Sequence, residues 1–100
     1  MGKLVRDRIP EVIRGNGEEP ATRVLTEAEF AVALLDKAVE EAVELRAATG
    51  PEEQLAEAAD VYEVLLAVAR LCGTTIDEVA RRADAKRAER GGFEERVWLD

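Results

Sequence analysis

A chain of 100 residues, 47% hydrophobic and 36% charged, has the composition of one globular domain, which we expect to span residues 1–100. The lack of histidine excludes imidazole-based catalysis and metal binding, and a single cysteine excludes an intrachain disulfide or a cysteine zinc cluster. The net charge is −8, with 13 acidic and 3 basic residues in the range 18–63, which argues against a nucleic acid polymer or a membrane surface as partner.

Helix-capping residues define the first half of the chain. Residues 4–13 predict a short extended stretch followed by one or two helical turns. A loop rich in turn residues follows. Thr26 and Glu29 have the spacing of a capping box, which predicts a long helix over about 26–48.

Two more long helices are predicted in the second half. A Gly-Pro pair begins a helix over about 50–71, and a second capping box, Thr75 with Glu78, begins another over about 75–90. The tail, 93–100, is predicted to be irregular. The expected fold class is all-α, an antiparallel bundle of three long helices and one short N-terminal helix. Because 17 of the residues are alanines, which bury little surface, we expect oligomerisation to complete a thin core.

Two pairs of acidic residues lie on the inner faces of the first two long helices. Glu41 is at the edge of one apolar arc, with Glu44 three residues later on the same side. Glu57 is in the middle of the next apolar stripe, with Asp60 three residues later. Because a short turn folds these helices antiparallel, we expect the two pairs to face each other.

Converging carboxylates repel one another, so a positive group must join them. The candidates are Lys37, a basic residue from another segment, or a divalent cation. Oxygen ligands favour hard ions, which means Mg²⁺ or Mn²⁺ in preference to zinc. The alternative is an ordinary solvated acidic surface, the usual explanation for one pair of glutamates at this spacing. The pattern alone leaves both interpretations open.

The same acidic residues carry a resemblance to a known superfamily. The motifs EExxE at 40–44 and ExxD at 57–60 resemble the signature of the MazG-type all-α nucleoside triphosphate pyrophosphohydrolases, which include phosphoribosyl-ATP pyrophosphohydrolases. The segments KLVRDRIP at 3–10 and KRAERGGF at 86–93 are similar to a small phosphoribosyl-ATP-pyrophosphohydrolase-like branch described as house-cleaning enzymes. Together these motifs cover essentially the whole chain.

The resemblance implies hydrolysis of a non-standard or modified nucleoside triphosphate between its α- and β-phosphates, yielding a nucleoside monophosphate and pyrophosphate. It implies a homodimer or homotetramer that uses Mg²⁺ or Mn²⁺, while the single cysteine favours a cytoplasmic location by default. The implied cation ligands are Glu41, Glu44, Glu57 and Asp60. The implied catalytic residues are Glu41, as a ligand, and Glu40, which either supports the ligands from outside the cation's coordination sphere or helps to orient the attacking water. The candidates for binding the substrate phosphates are Arg6, Arg8, Lys86, Arg87 and Arg90.

One departure and several alternatives accompany this resemblance. Asp84 stands where several relatives carry asparagine or lysine near the base or phosphate, so nucleoside recognition is not assigned. Arg6 and Arg8 have an alternative role, in tying the N-terminal segment to an acidic helix face. Arg87 and Arg90 have another, in complementing the C-terminal end of the last helix.

Two other functions remain open. One is a non-catalytic helical module that binds metal or nucleotide and oligomerises. The other is hydrolysis of phosphoribosyl-ATP itself, which ranks lower because the segment 3–10 looks more like the house-cleaning branch.

Overall fold

A computed structural model describes residues 2–100, which contain four helices and no strand. The predicted all-α class is confirmed, with one short helix and three long ones. The helices are α1 (Ile9–Gly15), α2 (Glu27–Ala47), α3 (Gly50–Leu71) and α4 (Ile76–Arg90). The chain divides into two compact units, Met1–Val64 and Leu65–Asp100. A single domain over the whole chain therefore stays a prediction. Within residues 2–100 no helix combines the length and apolarity needed to cross a membrane.

The predicted capping box begins α2. The Thr26 hydroxyl oxygen accepts a hydrogen bond from the Glu29 backbone N–H at 3.2 Å, and a Glu29 carboxylate oxygen accepts one from the Thr26 N–H at 3.0 Å. These bonds satisfy two backbone donors that a helix N-terminus otherwise leaves unpaired. The start of α2 is therefore determined by its local sequence.

The second predicted capping box, before α4, is wrong. Thr75 makes no side-chain bond to the helix. The carboxylate of Glu78 instead accepts hydrogen bonds from Arg81, at 2.8 and 3.0 Å, and from Arg82, at 3.0 Å. Because two guanidinium groups hold this carboxylate, it does not turn back to the Thr75 backbone.

The first unit is built on a hairpin of α2 and the first part of α3. Two residues, Ala48 and Thr49, connect the helices. Gly50 begins α3 with a φ of 79°, in the left-handed region that glycine adopts without steric cost. The Thr49 N–H donates to the Glu53 carboxylate at 3.0 Å, which supports the first turn. The short connection makes the two helices antiparallel neighbours.

The core of this unit is thin. Among residues 2–64 only Leu34, Glu41 and Val64 are buried. Leu34 and Glu41 are seven residues apart, so they lie on one face of α2, two turns from each other. Partly buried residues continue this face at the same helical spacing: Phe30, Lys37, Ala38, Leu45 and Ala48. The packed face of α2 therefore includes a lysine and a glutamate.

A second face of α2 is apolar and exposed. We call its members, which recur every three or four residues, the exposed stripe: Val32, Leu35, Val39 and Val43. Each of them is at least 49% exposed. Part of the apolar arc expected to form the core thus faces solvent.

The second unit begins in the last turns of α3. Ala69 is almost fully buried, with 1% of its surface exposed. Gly73, with a φ of 79°, follows the helix, and the Thr74 N–H bonds the Ala69 carbonyl at 3.0 Å. These are the bonds of a glycine-based helix end, as predicted. Most of α4 and the irregular tail are exposed, including every residue in 79–100.

Candidate metal centre

Three carboxylates meet between α2 and α3. One oxygen each from Glu41, Glu44 and Glu57 lies within 4.8 Å of the other two. α2 supplies Glu41 and Glu44 from successive turns, and α3 supplies Glu57 from the facing helix. Glu41 is buried, Glu57 is half-buried and Glu44 is exposed. The cluster is therefore anchored inside the hairpin and reaches solvent at Glu44.

The depth of the acids differs from the sequence-based expectation. The helical wheel puts Glu57 in the middle of an apolar stripe and Glu41 at the edge of another, but Glu41 is the deeper, with 7% of its surface exposed. The reason is that α2 packs through the Leu34 side of its wide apolar arc, while the Val39 side faces solvent. Glu41 is at the centre of the side that packs.

Lys37 supplies one positive charge to this region. Its Nζ lies 3.2 Å from an oxygen of Glu40 and 3.3 Å from an oxygen of Glu41. Burial lowers the pKa of Lys37, but its hydrogen bonds with both glutamates outweigh burial, so its pKa is raised above the ordinary value of 10.5. Lys37 therefore stays protonated and bridges two acids of the EExxE motif.

Negative charge still exceeds positive charge at the cluster. Burial raises the pKa of Glu41, a hydrogen bond with Glu44 raises it further, and Lys37 only partly opposes the two. The buried Oε2 atoms of Glu41 and Glu57 have no hydrogen-bond partner within residues 2–100. A buried carboxylate oxygen without a partner is costly, so a bound cation or a proton would stabilise this cluster.

The donor set fits a divalent cation of the Mg²⁺ class. All three groups are carboxylates, which hard ions such as Mg²⁺ and Mn²⁺ prefer. The three oxygens lie within 4.8 Å of one another, which is near enough for one ion to draw them together. Three of the four predicted ligands are therefore in one place.

The fourth predicted ligand, Asp60, has a different partner in the structure. Its Oδ1 accepts a hydrogen bond from Arg6 Nη2 at 2.6 Å, and both side chains are partly exposed. Asp60 is not among the three clustered carboxylates. This contact is the tie between the N-terminal segment and an acidic helix face that was one interpretation of Arg6. The roles of Asp60 with a cation and of Arg6 with phosphate stay predictions.

The other predicted phosphate-binding residues are exposed. Arg8 precedes α1, while Lys86, Arg87 and Arg90 are on α4 in the second unit. Arg87 donates to the Asp84 carboxylate at 2.8 Å, so part of its charge is already offset. Within residues 2–100 the other three have no ion-pair partner at salt-bridge distance. Their phosphate role stays a prediction.

The sequence offers three candidates for the positive group that joins the acids: Lys37, a basic residue from another segment, and a divalent cation. The structure has two of them in place, Lys37 at Glu41 and Arg6 at Asp60. The spacing of Lys37 from Glu40 and Glu41, three and four residues, is a readable sequence signal. Arg6 and Asp60 are 54 residues apart, and no local pattern pairs them.

Comparison with known proteins places the chain in a family. A protein of Mycolicibacterium smegmatis, described as uncharacterized, is 54% identical over 48 residues, which are 48% of this chain and 49% of that protein. The match thus spans about half the length of this relative. No solved structure matches significantly. Residues 7–87 match the family described as phosphoribosyl-ATP pyrophosphohydrolase. Because this match covers most of the sequence, the chain belongs to the phosphoribosyl-ATP pyrophosphohydrolase family, part of the MazG-like all-α superfamily.

Proposed function

We propose that the protein hydrolyses the bond between the α- and β-phosphates of a nucleotide, with Mg²⁺ or Mn²⁺, and releases pyrophosphate and a nucleoside monophosphate. One observation carries this proposal: Glu41 and Glu57 belong to one acidic cluster, and each has a buried carboxylate oxygen without a hydrogen-bond partner within residues 2–100. Membership of the family supports the reaction class.

Different side chains bind the cation and accept the proton of the attacking water. Glu41, Glu44 and Glu57 hold the cation, which when bound offsets triphosphate charge and lowers the pKa of a coordinated water. Glu40 Oε1 accepts a hydrogen bond from Lys37, so this contact orients the carboxylate and leaves Oε2 to accept a proton from the attacking water. Lys37 therefore positions the general base and stabilises Glu41 with one side chain.

Positive side chains stabilise the leaving pyrophosphate. Guanidinium groups suit this role because they bind phosphate oxygens through two parallel hydrogen bonds. We assign it to the basic residues of the two ends of the chain: Arg6, Arg8, Lys86, Arg87 and Arg90. Among these, Arg6 bonds Asp60, one helical turn from Glu57.

Two substrate classes share the triphosphate that this cluster recognises. The segment 3–10 favours a non-standard or modified nucleoside triphosphate, whereas the family match favours phosphoribosyl-ATP. The carboxylates act on the phosphates and do not contact the base, so they do not separate the two classes. A comparison of the turnover of modified nucleoside triphosphates with that of phosphoribosyl-ATP separates the two classes.

The test is release of pyrophosphate from a panel of standard, modified and phosphoribosyl nucleotides with Mg²⁺. We expect turnover of at least one, and a loss of roughly 100-fold or more in Glu41→Gln because it removes a cation ligand. Glu63→Gln, an exposed acid on α3, is the matched control and retains activity. Absence of turnover throughout, with cation binding unchanged in Glu41→Gln, overturns the proposal. Cation binding without turnover of any nucleotide supports the non-catalytic module instead.

The proposal includes association with a second copy through the exposed stripe of α2. Its four apolar side chains follow helical spacing, so they form one exposed apolar strip along the helix. Contiguous apolar surface of this kind marks an interaction site. A second copy of the chain is the simplest partner, because one helix stripe packs against its symmetry mate in a two-fold dimer.

A further inference from the structure

Arg6 and Asp60 form the long-range ion pair of the first unit. The Arg6 Nη2 and Asp60 Oδ1 atoms are 2.6 Å apart, and 54 positions separate the residues. Arg6 is in the irregular segment that leads into α1, and its carbonyl accepts the Ile9 N–H at 3.0 Å. The contact thus ties the N-terminal segment to the helix that supplies Glu57.

Asp60 is the next acidic residue after Glu57 along the same face of α3. The two are three residues apart, and both are partly buried. Neighbouring turns bring such side chains close together. Asp60 is therefore next to the carboxylate cluster, although Arg6 holds it in the present arrangement.

The pair is easily separated. The Arg6 side chain is 54% exposed and the Asp60 side chain 39% exposed, so water screens their attraction. Ion pairs with this exposure contribute little to stability. Separating the two groups in water consequently costs the fold little.

A divalent cation at the cluster acts on both members of the pair. Its positive charge attracts the Asp60 carboxylate and repels the Arg6 guanidinium. Asp60 also gains more from a doubly charged ion than from one guanidinium group. Both effects favour a change of partner.

We propose that Asp60 exchanges Arg6 for the divalent cation, and that the released Arg6 then binds the pyrophosphate part of the substrate. This inference rests on the proposed function and deepens it. Arg6 competes with the cation while the site is empty of substrate, and assists phosphate binding once the cation is bound. The exchange orders the binding steps, cation first and phosphate second.

Arg6→Gln therefore changes two affinities in opposite directions. Binding of Mn²⁺ alone, measured by isothermal titration calorimetry, becomes about three- to fivefold tighter because Asp60 no longer has to leave a partner. Binding of magnesium pyrophosphate becomes about tenfold weaker because one guanidinium contact is lost. A purely structural role of Arg6 does not predict tighter Mn²⁺ binding together with weaker pyrophosphate binding.

A double-mutant cycle separates the exchange from a general charge effect. Asp60→Asn weakens Mn²⁺ binding about tenfold, and in that background Arg6→Gln gives no further tightening. Lys3→Gln, which removes the same charge from the same exposed segment, changes Mn²⁺ affinity less than twofold. Circular dichroism of each variant confirms that it is folded. Arg6→Lys, which keeps the charge, is a second variant, and we expect its Mn²⁺ affinity to lie between those of the wild type and Arg6→Gln.

Two results overturn the exchange. One is unchanged or weaker Mn²⁺ binding in folded Arg6→Gln. The other is tightening that persists in the Asp60→Asn background, which shows a charge effect without exchange. If the wild-type protein hydrolyses nucleotides but either result is found, the exchange fails and the proposed function stands. If the wild-type protein binds no Mn²⁺ and hydrolyses no nucleotide, the proposed function fails as well.

Discussion

The two faces of α2 depart from the usual distribution of polar and apolar residues. The face that packs in the hairpin contains Lys37 and Glu41, whereas the exposed stripe is entirely valine and leucine. Burying charge costs free energy, and exposing valine and leucine forgoes stabilisation. A helix selected for monomer stability alone has the opposite arrangement.

Under the proposed function each face has a role beyond the fold of a single chain. The buried charges serve a cation and a phosphate substrate, and the exposed stripe serves a second copy. The contrast teaches that the two proposed roles, catalysis and association, lie on different sides of one helix. Four changes test this contrast.

Leu35→Glu in the exposed stripe has the largest expected effect. It puts a carboxylate at the proposed interface, so the dissociation constant of the dimer rises by about 100-fold. Sedimentation equilibrium measures this constant. Ala85→Glu, at an exposed position of α4, adds the same charge and leaves it unchanged. Equal dissociation in the two variants contradicts the assignment of the stripe.

Glu41→Gln tests the buried face. In the absence of divalent cations it raises the free energy of unfolding by about 1 to 2 kcal/mol, because a desolvated carboxylate becomes a neutral amide that donates to the neighbouring acids. Urea unfolding in a chelator measures this change, with Glu63→Gln as the exposed control. A loss of stability in Glu41→Gln shows that its pairing with Lys37 stabilises the fold, and contradicts a functional origin of the buried charge.

Thr26→Ala weakens α2 without altering either face. Loss of the capping hydroxyl lowers the free energy of unfolding by about 1 kcal/mol. Thr75→Ala, which removes an N-terminal threonine that makes no such bond, costs only a few tenths. Thermal unfolding compares them. Equal costs contradict the difference in capping between α2 and α4.

The pH dependence of the same cap is the smallest effect. The Thr26 backbone N–H, together with Arg23, holds the pKa of Glu29 below its ordinary value of 4.5. Because the pKa is lower in the folded state, the cap contributes fully above pH 4.5 and is lost as pH falls through the folded-state pKa. Glu29→Gln makes the acid loss of stability, followed by urea unfolding, shallower. Parallel curves for wild type and variant contradict this contribution.

The fold was largely predictable because its signals are local. The Thr26 box, the Gly-Pro pair at 50–51 and the glycine after α3 determine where helices begin and end, and each acts within a few residues. The prediction of a capping box at Thr75 is wrong for a physical reason that the capping motif does not include. Two arginines, three and four residues along the helix, compete for the Glu78 carboxylate.

The site was predictable in membership and less so in geometry. Helical spacing brings Glu41, Glu44 and Glu57 together as expected. Periodicity does not determine which part of a wide apolar arc packs inside, so the relative depth of Glu41 and Glu57 was not foreseen. Nor does it pair Arg6 with Asp60, since that contact depends on where an irregular segment folds back.

The two-residue connection between α2 and α3 has a consequence for how the protein folds. All three clustered acids lie in one short stretch of chain, from position 41 to position 57, so they meet through contacts of low sequence separation. Such contacts form early, on the microsecond scale typical of local hairpins. Mutual repulsion of the acids opposes this step, and a divalent cation relieves it. We expect Mg²⁺ to accelerate refolding, so the cation proposed for hydrolysis also assists formation of the native hairpin.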